Sequence, residues 1–518
     1  MNNIIVEPIS GIFNPPKQAN LKLSLIEEVL QSFHELNIKY CHWKSNEHLA
    51  ASMSGDTDLD ILFDEQDKAG FEIIMNNYGF KRFNPIKEKQ YRDIEDYIGL
   101  DLPSGKIIHL HTHFKLTLGE SYLKGYQLNL EQKILDSRVF DVEFGIYRSA
   151  PTFELLLLFF RYALKLRNRD ILKSYFKKDI KYSKNVLAEY QWLKARCTND
   201  EIAILLKSLF GDYIPIYDLV TKEFTHKTLL KLSTLLQKKL KTQRLYSPLE
   251  ATILRWYREI AIKVYRKWAK YSSQPIISQR IYPGGGFVVA IVGADGSGKS
   301  TVIGNLQATF KRKIDVYNIY MGRGKSGKIS WQRKFLKGFK KSYTQYQQPR
   351  KIMMRDDFSP NQGRSFKFNL FKCFEALTVA RERRKKLKMI RLAKAKGMLV
   401  ICDRFPQNQC MGYNDGPALN YLLHSKNILF RFLARKEAKT YQLAEDNPPD
   451  LVFKLVAKAD LIAIRKPSNA SLQMLELKIE GIRNLKYPGD CAVVTIDAAR
   501  PLNDVLVSVK SHLWGLWN

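Results

Sequence analysis

Gly293-Ala294-Asp295-Gly296-Ser297-Gly298-Lys299-Ser300 fits the spacing G-x-x-x-x-G-K-[ST] without a mismatch. Glycines so placed let backbone N–H groups turn inward onto a phosphate, and the N-terminus of a following helix adds a favourable dipole. Lys299 would reach the outer phosphates of a nucleotide, and the Ser300 hydroxyl, followed by Thr301, would ligate Mg²⁺. A second group lies near the N-terminus, where HWKSNEHLAASMSGDTDLDIL sets twelve residues between Lys44-Ser45 and Asp58-Leu59-Asp60. Alternate residues of a strand share a face, so Asp58 and Asp60 can point at one Mg²⁺. KIIHLHTHF then puts His109, His111 and His113 at period two. These histidines read either as ligands for a metal or phosphate, or as a partly exposed sheet face. A third carboxylate for this group is not evident; Asp101, ending the preceding strand, is one candidate.

The elements that must position these groups follow from the apolar pattern. Residues 1–148 mix helix and strand, with an amphipathic Leu21–Leu36, strands at Asp58–Phe63 and Lys106–Phe114, and a turn at Pro103-Ser104-Gly105. Residues 149–270 are helical: Phe153–Leu166, Asn185–Arg196, Leu229–Leu240 and Ala251–Lys270 carry apolar residues at helical spacing. Residues 271–286, with SSQP and YPGGG, have linker chemistry. From 287 to 518 strands alternate with helices. Phe287–Val292, Asp315–Tyr320, Met398–Cys402, Pro449–Val456 and Ala492–Ile496 read as strands, Lys299–Phe310 and Phe374–Lys396 as helices. That alternation predicts an α/β domain with a parallel sheet flanked by helices.

The 518 residues carry 84 Lys+Arg against 51 Asp+Glu, a formal charge of +33. The excess is uneven. Residues 1–150 hold 16 basic and 22 acidic side chains, whereas residues 323–396 hold 23 and 4. Such a balance excludes an acidic solvating protein and predicts anionic partners. Six scattered cysteines without a metal-finger spacing fit a reducing compartment. No apolar run approaches the ~20 residues of a membrane span. The expectation is a cytoplasmic protein, with peripheral contact at the inner face of the membrane as an extension of it.

The C-terminal motifs together resemble the thymidylate kinases. GADGSGKST is similar to that family's phosphate loop, and VICDRFP (Val400–Pro406) to its strand-end Asp-Arg-aromatic motif. PPDLVFKLVAKADLIAIRKP (Pro448–Pro467) resembles its strand and lid-arginine segment, and VVTIDAARPLNDVLVSV (Val493–Val509) its last strand and closing helix. The resemblance implies a nucleoside-monophosphate-kinase-like fold, ATP as donor and Mg²⁺ as metal. Gly293, Asp295, Gly296, Ser297, Gly298, Lys299, Ser300 and Thr301 would cradle the nucleotide, with the metal at Ser300 and Asp403. Asp403 would bind that metal through water or orient the acceptor, and Arg404 would clamp an anionic group on it. Asp295 would touch acceptor or metal, and Arg465, with Lys466, would close over the transferring phosphate. The bland alternatives are a surface salt bridge for Asp403-Arg404 and a solvated basic loop for Arg465.

Two segments depart from that family. Tyr320-Met321-Gly322-Arg323-Gly324 replaces an Arg-Glu-Pro sequence, leaving Arg323 as a phosphate ligand. PQNQCMGYNDGPALN, rich in turn formers, stands where the family has a base-reading helix. The simplest acceptor is a nucleoside monophosphate such as dTMP. The additional domain points to a more elaborate one, a surface glycan or its lipid-linked intermediate.

The N-terminal Lys44-Ser45…Asp58-x-Asp60 pattern resembles the nucleotidyltransferase superfamily, which implies an α+β domain holding a nucleoside triphosphate's metal. The insert 325–373 interleaves Trp331, Phe335, Phe339, Tyr343 and Tyr346 with Lys and Arg. It reads as a nucleic-acid surface, an interfacial membrane segment or a solvated basic loop. The run Arg381–Lys388 continues as exposed cations near the phosphates. Besides the kinase, two other classes stay open: a nucleic-acid end-processing kinase with a nucleotidyltransferase, and a nucleotide-gated binding protein without catalysis.

Overall fold

The computed structural model describes residues 22–167, 170, 182–272, 274–322, 365–411, 413–467 and 471–517. Arg323 and residues 325–364 of the basic insert, with all five of its aromatic residues named above, lie outside them.

The N-terminal strands are Tyr40–His42 (β1), Leu59–Phe63 (β2), Lys81–Pro85 (β3), Ile94–Asp101 (β4) and Lys106–His113 (β5). Leu116–Leu118 (β6), Tyr126–Leu128 (β7), Val139–Asp141 (β8) and Ile146–Arg148 (β9) follow, and Arg280–Ile281 (β10) arrives from far along the chain. Eight of them form one mixed sheet in the order β10-β3-β4-β5-β2-β1-β9-β8. β2 and β5 are parallel, so Asp60 lies opposite His111. β4 and β5 form an antiparallel hairpin whose turn passes through Gly105 at φ +64°. A left-handed backbone there suits glycine, which has no Cβ to clash. The helix Ser24–Glu35 packs Ile26, Val29, Leu30 and Phe33 against this sheet.

The middle of the chain is helical. Pro151–Lys165 begins with proline at its first position and buries ten of its residues, so it forms the centre of a helical cluster. Pro248–Tyr271 starts with a reciprocal Ser247–Glu250 capping box.

The C-terminal sheet is wholly parallel: Phe287–Gly293 (β11), Val316–Tyr320 (β12), Leu399–Asp403 (β13), Leu451–Val456 (β14) and Ala492–Asp497 (β15) in the order β12-β13-β11-β14-β15. β14 is buried at every position and β11 at all but its first, as a sheet covered by helices on both faces requires. Strand order reverses about β11, and in such sheets ligands sit in the crevice beyond the carboxyl ends of the strands at that point.

One apolar core joins the two sheets. Phe83, Ile98, Leu100 and Ile107 of the N-terminal sheet cluster with Phe310, Trp514 and Trp517. Among the described residues no helix is long and apolar enough to cross a membrane.

Candidate active site at the phosphate loop

β11 ends in the glycine-rich loop, and the helix Lys299–Phe310 starts at Lys299, as the sequence predicts. Gly296 (φ +96°) and Gly298 (φ +91°) take left-handed conformations that turn the backbone around the loop. Gly293 is required for a different reason: a Cβ there would stand 2.4 Å from Ser297 Oγ and 2.8 Å from the Leu455 carbonyl.

A cavity of about 640 Å³ opens over the loop. It gathers Asp295, Gly296, Ser297, Gly298, Lys299, Ser300 and Thr301 with Asp403, Arg404 and Arg465 from two other segments. Tyr320, Lys466 and Arg500 add polar groups, and Leu502 and Val505 an apolar end. Gly293 lies beneath the loop, outside the lining.

Lys299 Nζ donates to the carbonyls of Gly293 (2.8 Å) and Ala294 (2.7 Å), which leaves one of its three hydrogens for a ligand. Burial and the neighbouring Arg404 charge push its ammonium down to about 8. Arg404 sits at φ +69° directly after β13. Its guanidinium pairs with Asp295 across the cavity and with Asp415 Oδ2 at 3.2 Å. Burial alone would raise the Asp295 carboxyl, but Arg404 and Lys299 hold it below the ordinary value. At Asp403 burial wins over the same two cations and raises the carboxyl, and its Oδ1 is buried without a hydrogen-bond partner. Arg465 Nη1 donates to the Ala498 carbonyl (2.7 Å), which ties the end of the Ala459–Arg465 helix to the loop after β15.

Two residues beneath this site have no role in it by sequence alone. Asp415, in the turn-rich PQNQCMGYNDGPALN segment, receives Arg383 Nη2 at 2.9 Å as well as Arg404. Arg383 is 1% exposed and also donates to the Met321 carbonyl and the Tyr441 hydroxyl. The expectation that Arg381–Lys388 presents only exposed cations is therefore corrected. Helical spacing turns Arg383 into the interior beside Ala380 and Leu387, where Asp415 neutralises it. Arg500 belongs to the quoted DAARP stretch and could have been found as a cation directly after the last strand.

The N-terminal carboxylates converge too, although on different partners. Asp58 pairs with Lys313 from the C-terminal half of the chain, and its Oδ1 lies 3.0 Å from His109 Nδ1. Asp60 Oδ1 lies 2.8 Å from Lys44 Nζ and 2.8 Å from His111 Nδ1. Burial would raise the Asp60 carboxyl, yet Lys44 and the two nearby histidines hold it well below the usual range. Asp101 is not part of this group. The hairpin register sets it opposite Lys106 at the turn, where it accepts hydrogen bonds from Ser24, Leu25 and Ser104. The carboxylate brought close is Asp96, 2.8 Å from His109 Nε2. Beside Asp60 lies a cavity of about 320 Å³ lined by Lys44, Lys124, Arg161 and Lys165. Burial and the other cations push Lys124 down to about 7 and Lys165 to about 8.

No family model matches the chain. It is similar to two proteins of Escherichia coli K12 that are named uncharacterized ATP-binding proteins. YghS is 27% identical over 222 residues, covering 42% of this chain and 89% of YghS. YghR is 29% identical over 230 residues, covering 42% of this chain and 83% of YghR.

Proposed function

We propose that the protein binds ATP in the cavity over Gly293–Ser300 and transfers its γ-phosphate to an anionic acceptor, as a thymidylate-kinase-like phosphotransferase. The observation that carries this reading is that Lys299, Asp403, Arg404 and Arg465 line one cavity at the carboxyl ends of a parallel sheet. The names of YghS and YghR support ATP as the nucleotide.

Transfer of a phosphoryl group needs the donor held, its charge offset and the acceptor oxygen in line. Lys299 and the loop N–H groups hold the donor phosphates. The hard oxygens of Ser300 and Asp403 suit Mg²⁺, which when bound offsets phosphate charge. Asp403, with a buried and unpartnered oxygen, is placed to orient an acceptor hydroxyl or metal-bound water. Arg404 faces the loop from the opposite wall and binds the acceptor's anionic group. Arg465 and Lys466 supply cations from the lid side.

The acceptor is a nucleoside monophosphate, or a surface glycan or its lipid-linked intermediate. The test is transfer of label from γ-labelled ATP to dTMP, the other nucleoside monophosphates, a short single-stranded oligonucleotide and a lipid-linked glycan extract. The wild-type protein labels one acceptor, and Lys299→Ala lowers that rate by about 10²-fold or more. Equal transfer by Lys299→Ala would overturn the assignment. Label on the oligonucleotide alone would favour end processing, and ATP binding without any transfer would favour a nucleotide-gated binding protein.

A further inference from the structure

On the N-terminal sheet, parallel pairing of β2 and β5 sets Asp60 beside His111, and the two-residue period of β5 brings His113 to the same face. Asp60 Oδ1 is 2.8 Å from His111 Nδ1 and 3.9 Å from His113 Nε2, and the two ring nitrogens are 3.3 Å apart. At that separation the facing nitrogens have room for one proton between them at most. A tetrahedral metal with bonds of ~2.0–2.1 Å separates its ligand atoms by about 3.3–3.4 Å. The three observed separations, 2.8, 3.3 and 3.9 Å, straddle that value.

Asp58, the other carboxylate of the Asp-x-Asp pair, is turned to Lys313 and His109. The donor set is therefore one carboxylate and two imidazoles, not paired carboxylates. Imidazole donors favour borderline transition metals over Mg²⁺. Three protein ligands also leave a coordination position free, the composition of a catalytic site. Asp60 lines the pocket that holds Lys44, Lys124, Arg161 and Lys165, of which Arg161 is paired with Glu189 at 2.8 Å. Four basic side chains around 320 Å³ are suited to a phosphate group, and Lys44 Nζ, 2.8 Å from Asp60, is near enough to serve either the carboxylate or the ligand.

We propose that Asp60, His111 and His113 bind a divalent transition metal of the zinc class, beside a pocket of basic side chains, lined in part by Asp60, that takes a phosphate-bearing ligand. The site is separate from the phosphate loop, and it stands whether or not the kinase reading does.

The experiment uses the full chain carrying Lys299→Ala, which removes the loop's hold on phosphates. Titration with Co²⁺ gives the visible absorption of a four-coordinate ion at one equivalent per chain, and Zn²⁺ abolishes it by displacement. His111→Ala, at a half-buried position, loses the absorption by tenfold or more in affinity while circular dichroism stays unchanged. Inorganic pyrophosphate then shifts the cobalt spectrum, and Lys165→Gln weakens that shift several-fold while keeping the metal. Absence of the cobalt absorption, or its full retention in His111→Ala, would overturn the metal site. A bound cobalt whose spectrum ignores pyrophosphate would overturn the ligand pocket.

Discussion

At the residue scale, the site depends on one chain of alternating charges, Asp295–Arg404–Asp415–Arg383, that descends from the cavity into the core. Removing one member of a buried ion pair costs about 3–5 kcal/mol, because the partner's charge is left uncompensated. Arg383→Ala is therefore expected to lower stability by that amount, read by denaturant unfolding. Arg404 differs, since it borders the cavity. Arg404→Ala should leave ATP affinity within a few-fold and lower kcat/KM by about 10²–10³, the usual cost of one group aimed at developing charge. Steady-state kinetics beside equilibrium ATP binding checks that split. The thiols give a pH prediction. Burial pushes Cys373 and Cys491 up to about 11, and Cys402 further still. The thiolate is the nucleophile, so between pH 8 and 10 alkylation of Cys373 and Cys491 should rise about tenfold per pH unit. Mass mapping after iodoacetamide treatment measures it; a rate already level at pH 8 would contradict the burial.

At the element scale, the turn-rich stretch after β13 is a constructed loop. Gln407 Nε2 donates to the carbonyls of Cys410, Tyr413 and Asn414, and its Oε1 accepts from the N–H groups of Gln409 and Cys410. Asn414 and Asp415 both hold positive φ, which aims the Asp415 carboxylate at the two arginines. A Cβ on Gly416 would meet the Cys410 carbonyl at 1.7 Å, a contact only backbone movement can relieve. Gly416→Ala should cost about 1–3 kcal/mol and displace Asp415. It would then reduce activity more than an equally destabilising change elsewhere. Comparison of Tm and kcat/KM for Gly416→Ala against a matched core variant decides this.

At the scale of the whole molecule, the two sheets are joined by polar and apolar contacts. Trp514 stacks on Phe83 and Trp517 meets it edge-on, with ring centroids 6.5 Å and 5.7 Å away, and Trp514 Nε1 donates to the Gly79 carbonyl. Lys510 Nζ donates to the Gly105 carbonyl, and β10 extends the N-terminal sheet immediately before β11 begins. Arg312 and Lys313, just past the end of the phosphate-loop helix, reach Asp56 and Asp58. Both halves should therefore unfold in one transition, reported alike by tryptophan fluorescence and by loss of ATP-analogue binding. Trp514→Ala should lower stability by about 3–5 kcal/mol for both probes together. Separate midpoints would show that the shared core does not couple the halves.

Much of the C-terminal half is determined by sequence alone. Apolar runs of strand length and an unbroken phosphate-loop spacing locate β11, β13, β14 and the Lys299–Phe310 helix within a residue or two, because local pattern and backbone demand coincide there. Asp403, Arg404 and Arg465 come from the sequence by another route, the motifs that resemble the thymidylate kinases, and the fold sets all three around the cavity over the phosphate loop. Tertiary structure decides which distant groups meet. Asp415 and Arg383 are 32 residues apart, and their pairing depends on how a helix face rotates into the core. Asp96 and Asp101 occupy the same strand, and the hairpin register alone sends the first to the histidines and the second to the turn. Lys313 reaches Asp58 across 255 residues only because two hydrophobic faces, each incomplete alone, bury each other. Burial of apolar surface is non-directional. It selects such a joint through shape and packing rather than through any spacing that can be read along the chain.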